Sequence, residues 1–167
     1  MKILPLLVFA LLFTVGCATH RPTGKITRGL KQVRTTAYTH TEPGGIHDAC
    51  GGRLTDDGAV HSAAADWSRY PVGTKFQIMD TGEVCQIDDY GSALVGTDTI
   101  DLYKNSRSKM NRWGVRHVQI KILVWGSNSR SLEILSPRVH NRHVARMVAA
   151  LRGKTQGMPS TFRRNES

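Results

Sequence analysis

Short runs of β-branched and aromatic residues, each closed off by turn residues, recur from Val33 to Trp125. Alternation with a period of two puts one set of side chains on each face of a strand, which fixes what can be buried. The clearest run is His117 to Trp125, where Val118, Ile120, Ile122 and Val124 alternate with His117, Gln119, Lys121 and Leu123. The run VRTTAYT from Val33 to Thr39 reads as a first strand. Lys75 to Met79 reads as another, with Phe76 and Ile78 on one face, and Asp80-Thr81-Gly82 turns the chain into Val84 to Ile87. Ser106 to Trp113 has the polarity and length of a short surface helix, with Gly114 placed to end it. Many short strands without strand–helix alternation predict a mainly β domain, a small barrel or sandwich.

The chain of 167 residues is long enough for one such core and little more. Beyond Gly126 the composition changes. Residues 127–167 hold eight Lys/Arg against two Asp/Glu, whereas residues 18–126 hold fourteen against eleven. Ser131 to Leu135 is read as an added edge strand. Val139 to Leu151 has helical spacing, with Val144, Val148 and Leu151 on one side and Arg142, Arg146 and Arg152 outside. Gly153 to Ser167 reads as disordered. This basic extension is either simply solvated or touches phosphate-rich envelope polymers or anionic lipid headgroups.

The first residues read as an export signal: Lys2, an apolar run from Ile3 to Val15, then small residues around Cys17. The run is shorter than the about 20 residues a membrane span needs. Val15-Gly16-Cys17-Ala18 resembles a lipobox ending in a lipidated Cys17, with plain secretion as the alternative. The expected division is a signal at 1–17, a tether at 18–32, a domain at 33–126 and a C-terminal extension at 127–167. Export puts nucleic acid out of reach as a partner. Ala18, in place of an Asp associated with inner-membrane retention, favours the outer membrane facing the periplasm. With Cys17 lipidated, Cys50 and Cys85 remain, an even pair that forms either one disulfide in an oxidising compartment or two unpaired thiols.

The segment from His40 to Gly58 has loop composition and is long for a loop. His40, His47, Asp48 and Cys50 within it match no structural zinc spacing, so no metal or other cofactor is expected. The acidic residues from Gln86 to Tyr103 are the stronger feature. Asp88 and Asp89, then Asp98 and Asp101, flank a turn with Gly91 and Gly96. In Ile100-Asp101-Leu102-Tyr103 an acid interrupts an apolar strand and must point away from the face that Ile100 and Leu102 share.

Ala64-Ala65-Asp66, Val72-Gly73-Thr74-Lys75, Asp88-Asp89-Tyr90-Gly91-Ser92-Ala93, Ile100-Asp101-Leu102-Tyr103 and Trp113-Gly114 follow one another in the order of the three-aspartate, or 3D, domain, which the chain resembles over about residues 33–125. Thr36-Ala37-Tyr38-Thr39 is similar to that family's first strand. The resemblance implies a six-stranded double-psi β-barrel with one or two short helices, here followed by a basic helical tail. It also implies kinship with the catalytic domain of membrane-bound lytic transglycosylases and with stationary-phase murein enzymes. The three aspartates fall on Asp66, Asp89 and Asp101, with Asp101 at the position of the acid/base catalyst. Two departures stand out: Val95 replaces a usual Lys, and one extra residue lies between Gly96 and Asp101.

The implied reaction is cleavage of MurNAc–GlcNAc β-1,4 bonds in peptidoglycan glycan strands to 1,6-anhydro products, with one Asp as acid and then base. Tyr38, Trp67 and Tyr103 are the expected stacking residues of a sugar groove, although Tyr38 also suits the core. Asp88, Asp98, Asp56 and Asp57 read as loop or surface charges. Two alternatives stay open: a peptidoglycan-binding envelope lipoprotein without chemistry, and a glycoside hydrolase using two carboxylates.

Overall fold

The structure is a computed structural model and describes residues 29–41 and 45–156. The expected signal, Cys17 and most of the expected tether lie outside these residues. Six strands close into a barrel: β1 (Leu30–Tyr38), β2 (His61–Ala64), β3 (Lys75–Ile78), β4 (Val84–Asp89), β5 (Ile100–Tyr103) and β6 (Arg116–Val124). Their order around the wall is β1-β5-β2-β4-β3-β6. The β1–β5 and β2–β4 pairs are parallel and the other four antiparallel. The domain is thus a six-stranded double-psi β-barrel, as the resemblance implied. Alternation fills it: Val33, Ala63, Phe76, Ile78, Cys85, Ile87, Ile100, Leu102, Val118 and Ile120 all point inward and are buried.

Among the described residues three helices accompany the barrel: α1 (Arg107–Trp113), α2 (Asn128–Leu135) and α3 (Arg142–Gln156). Ser106 caps α1 by accepting from Lys109 N, and Gly114 ends it. The edge strand expected at Ser131 to Leu135 is instead α2. Ser127 accepts from Arg130 N as its N-cap, and Ser131 and Leu135, four apart, turn the same face inward. Helix α3 extends through the Gly153–Gln156 stretch expected to be disordered; residues 157–167 lie outside the described ones.

Val144, Met147, Val148 and Leu151 of α3 and Leu135 of α2 belong to the same buried cluster as the barrel interior. The C-terminal extension is therefore part of the core as far as Leu151, while Arg142, Arg146 and Arg152 stay exposed as expected. Burying four such apolar side chains stabilises the docked helix by roughly 1.5–3 kcal/mol each. The junction is tight. A Cβ on Gly126 would lie 2.2 Å from Val72 O and 2.3 Å from Pro71 O, so only glycine lets the two backbones meet. Ser127 N donates to Val72 O (3.0 Å) and Val72 N donates to Ser131 Oγ (3.0 Å), joining α2 to the turn before β3.

Two smaller differences concern strand ends. β1 starts at Leu30, inside the expected tether, because Leu30 to Gln32 pair with Lys121 to Gln119 of β6. Val124 was expected on the inward face but is 56% exposed. It pairs with Lys75, the first residue of β3, beyond a register shift at the barrel rim.

Candidate active-site groove

Ala64 is the register partner of Asp89 on one side and of Asp101 on the other. Asp101 in turn faces Thr36 of β1. Asp89, Ala64, Asp101 and Thr36 thus form a row across four neighbouring strands. A bulge creates it: Ala63 pairs with Ile87, but Ala64 pairs with Asp89, skipping Asp88. An extra residue of this kind re-aims the side chains beyond it, here selecting Asp89 over Asp88 for the row. Because Ile100 and Leu102 are buried, Asp101 must project to the opposite face, and it does so into a groove of about 440 Å³.

The donors around the two acids come from β1 and the end of β4. Thr36 Oγ1 donates to Asp101 Oδ1 (2.6 Å). Two residues on, and therefore on the same face of β1, Tyr38 OH donates to Asp89 Oδ2 (3.1 Å). Asp89 Oδ1 accepts from Tyr90 N (2.9 Å), and Trp67 Nε1 donates to Asp89 O (2.8 Å). Burial pushes the Asp89 carboxyl above the usual carboxylate range, against the stabilising Tyr90 N–H and Tyr38 hydroxyl. Burial first, then the charges of Asp89, Asp88 and Asp101, push the Tyr38 hydroxyl far upward, so it stays a donor.

The rest of the groove comes from the 91–94 turn and from the entry to α3, where Asn141 and His143 line it together with Asp89 and Asp101. Asn141 Oδ1 accepts from His143 N (2.9 Å), which fixes this end of the helix. His143 Nδ1 is buried without a hydrogen-bond partner among the described residues. Sequence reasoning missed both residues. They lie outside the stretch of resemblance, and only the apolar spacing of Val144, Val148 and Leu151 signalled that this helix would dock.

Asp66 is buried apart from the groove. Its Oδ1 accepts from Ser68 N (2.8 Å) and its Oδ2 from Gly96 N (2.7 Å). It anchors the turn between β4 and β5 by its backbone. Gly96 there has φ +86°, which glycine adopts without strain, and the longer turn that follows still delivers Asp101 to its place beside Thr36.

Of the three aromatic residues, only Tyr38 lines the groove. Trp67 is completely buried, edge-on to Tyr90, and is a core residue rather than a sugar platform. Tyr103 faces a neighbouring cavity, where its hydroxyl lies 3.1 Å from His40 Nδ1, and it meets Tyr38 edge to face at 5.6 Å.

Two acids read as loop or surface charges are in fact withdrawn from solvent. Asp88 accepts from Ser62 Oγ (2.7 Å), its Oδ1 has no partner among the described residues, and burial pushes it up to about 7. The bulge that brings Asp89 into the row leaves Asp88 beside Ser62 instead. Asp56 is buried beside Lys109 (3.2 Å). Asp98 and Asp57 are exposed as expected; Asp98 pairs with Lys31 (3.2 Å) and Arg69 (3.0 Å).

The expected Cys50–Cys85 disulfide is absent. Both are free thiols, because Cys85 points into the barrel core while Cys50 sits on the surface loop with its Sγ toward Asp88 O (3.5 Å). Burial pushes Cys85 up to about 12 and Cys50 up to about 11, so neither is a ready nucleophile. His40, His47 and Asp48 each bond within their own surroundings. Among the described residues no three His, Cys, Asp or Glu side chains gather as metal ligands.

Residues 61–124, from the start of β2 to the end of β6, match the family described as the 3D domain. The stretch from β2 to β6 is a 3D domain. The match takes in Asp66, Asp89 and Asp101 of that domain, whereas Thr36, Tyr38, Asn141 and His143 come from the flanking sequence. The chain is also similar to YabE of Bacillus subtilis (strain 168), a protein whose name ascribes to it a part in shaping the cell wall. The two are 33% identical over 111 residues, 66% of this chain and 26% of that relative. The chain therefore spans about a quarter of the length of the relative it matches.

Proposed function

We propose that the groove binds peptidoglycan glycan strands and cleaves the MurNAc–GlcNAc β-1,4 bond as a lytic transglycosylase, with Asp101 as the single acid/base. The observation that carries this reading is the placement of Asp101 in an open groove, opposite Ala64 and held by Thr36. The 3D domain and the cell-wall role in the name of the relative support the substrate class. Asp101 in its acid form gives its proton to the glycosidic oxygen as the C1–O bond breaks. The C6 hydroxyl of the same MurNAc residue attacks C1 and loses its proton to the Asp101 carboxylate, which restores the acid. An intramolecular hydroxyl supplies the proximity that a bound water and a second catalytic carboxyl provide in hydrolases. Asp89, already accepting from Tyr38 and Tyr90, serves to orient the substrate and hold the groove's shape.

Asp89 in the same groove also favours a second reading, a two-carboxylate hydrolase. Product analysis on purified sacculi separates the readings. Release of 1,6-anhydro muropeptides, abolished by Asp101→Asn, is expected. Reducing-end sugars instead would establish the hydrolase, and binding without release a module that only holds glycan. An Asp101→Asn variant with full lytic activity would overturn the role of Asp101. We further propose that the chain is exported and anchored through lipidated Cys17, facing the periplasm from the outer membrane. Metabolic labelling with a fatty acid should mark the wild type and not Cys17→Ser.

A further inference from the structure

Below α1 lies a second cavity, about 340 Å³, that shares no lining residue with the groove. Four cations line it, Lys104, Lys109, Arg112 and Arg116, against two carboxylates, Asp56 and Glu83. Each carboxylate already has a lysine: Lys104 Nζ lies 3.5 Å from Glu83 Oε1, and Lys109 Nζ 3.2 Å from Asp56 Oδ2. The side chain of Asp56 is 1% exposed and that of Lys109 47%, so the negative end of that pair is withdrawn and the positive end faces the opening.

Arg112 and Arg116 have no carboxylate among the described residues. Arg116 is nonetheless fixed in place. Its guanidinium lies 4.3 Å over the Trp113 ring, and its Nε and Nη2 donate to Trp113 O and Arg112 O at the end of α1. Trp113 is itself anchored by Nε1 donating to buried Thr35 Oγ1 (3.2 Å), and Lys104 stacks over it at 5.2 Å. Two guanidiniums are therefore presented beside the cavity, one of them on a rigid aromatic base, neither in an ion pair among the described residues. A guanidinium offers paired N–H donors that match a planar or tetrahedral oxyanion. Arg112 makes no side-chain hydrogen bond among the described residues, and Arg116, whose Nε and Nη2 donate to the backbone, keeps its Nη1 end for a ligand.

We propose that this cavity is an oxyanion-binding site, taking a carboxylate or phosphoryl group carried by a larger ligand. The site does not depend on whether the groove cleaves glycan. Its position relative to the groove is set by β5, which carries Asp101, with Lys104 just beyond its end, three residues or roughly 10 Å on.

The test is an NMR titration of the arginine Nε–H signals in the full chain, using muramyl dipeptide as the carboxylate probe, glycerol 3-phosphate as the phosphoryl probe and N-acetylglucosamine as the neutral control. We expect saturable shifts of Arg112 and Arg116 with one or both anions and none with the neutral sugar. Which probe saturates identifies the source. Arg112→Gln should weaken binding about tenfold or more, the range for a charged hydrogen bond. Arg142→Gln makes the same change in charge on the exposed face of α3 and should alter affinity less than about twofold. No saturation by about 10 mM of either anion, or binding insensitive to Arg112→Gln, overturns the site. Equal weakening by the two substitutions also overturns it, since attraction to a chain of net charge +10 would then account for the binding.

Discussion

Asp89 and Asp101 approach the groove from opposite sides of one alanine, Ala64, each as its register partner on a neighbouring strand. The separation of their backbones is twice the spacing between strands, roughly 10 Å. Ala64 is small enough to leave that interval open. Ala64→Val suits a strand but puts two methyl groups between the acids. Glycan release from sacculi should fall at least about tenfold, with the melting temperature lowered by only a few degrees. An unchanged rate in the folded variant would mean that substrate does not enter between these acids.

Asp66 acts at a distance from the groove, through backbone N–H groups of Ser68 and Gly96. Asp66→Ala leaves the buried Ser68 N–H and the more exposed Gly96 N–H without their acceptor and should cost about 2–3 kcal/mol in urea unfolding. Asp66→Asn keeps an acceptor oxygen for only one of them and should cost about half as much. Equal losses for the two variants would refute this role.

Gly126 is where the chain passes between the backbones of Val72 and Thr74. Gly126→Ala forces them apart and should destabilise the fold by about 2 kcal/mol or more, measured by denaturant midpoint. Gly153→Ala has open space around its Cβ in the last turns of α3 and should be neutral or slightly stabilising by the same measurement.

Asp88 gives the folded state a pH signature. Its carboxyl is raised from 3.8 to about 7, mainly by burial. Between those values the folded chain holds a proton there that the unfolded chain has lost. Stability therefore declines as pH rises through that window and levels off above about 7. Asp88→Asn, which stays neutral, removes this contribution. The stability difference between variant and wild type, from urea melts at pH about 4 and about 8, should shift in the variant's favour at the higher pH. A difference that does not change with pH would show Asp88 to be ionised in the fold.

Most of the barrel was readable because its strands alternate. Phe76 and Ile78, Val118 and Ile120, and Ile100 and Leu102 announce their inward faces by period alone. β2 was not, since the Ala63-Ala64-Ala65 run carries no alternation and becomes a strand only between β4 and β5. Asp101 was legible from its interruption of an apolar run. The distinction between Asp88 and Asp89 was legible only through the resemblance, because it depends physically on a bulge between paired strands. Trp67 misled because an indole reads equally as a sugar platform or as core, and its burial is settled by the Asp89 carbonyl that its N–H reaches. Ser131 to Leu135 misled because those five residues by themselves say nothing of Ser127, the cap that starts a helix there.

Helix α3 contributes Met147 and Leu151 to the interior and, with Asn141 just before it, His143 to the groove. A ligand touching its first turn therefore binds only molecules in which the helix is seated, and the free energy of undocking enters the affinity. Occupying the groove should slow amide hydrogen exchange along the helix as far as Leu151, well beyond any atom the ligand meets.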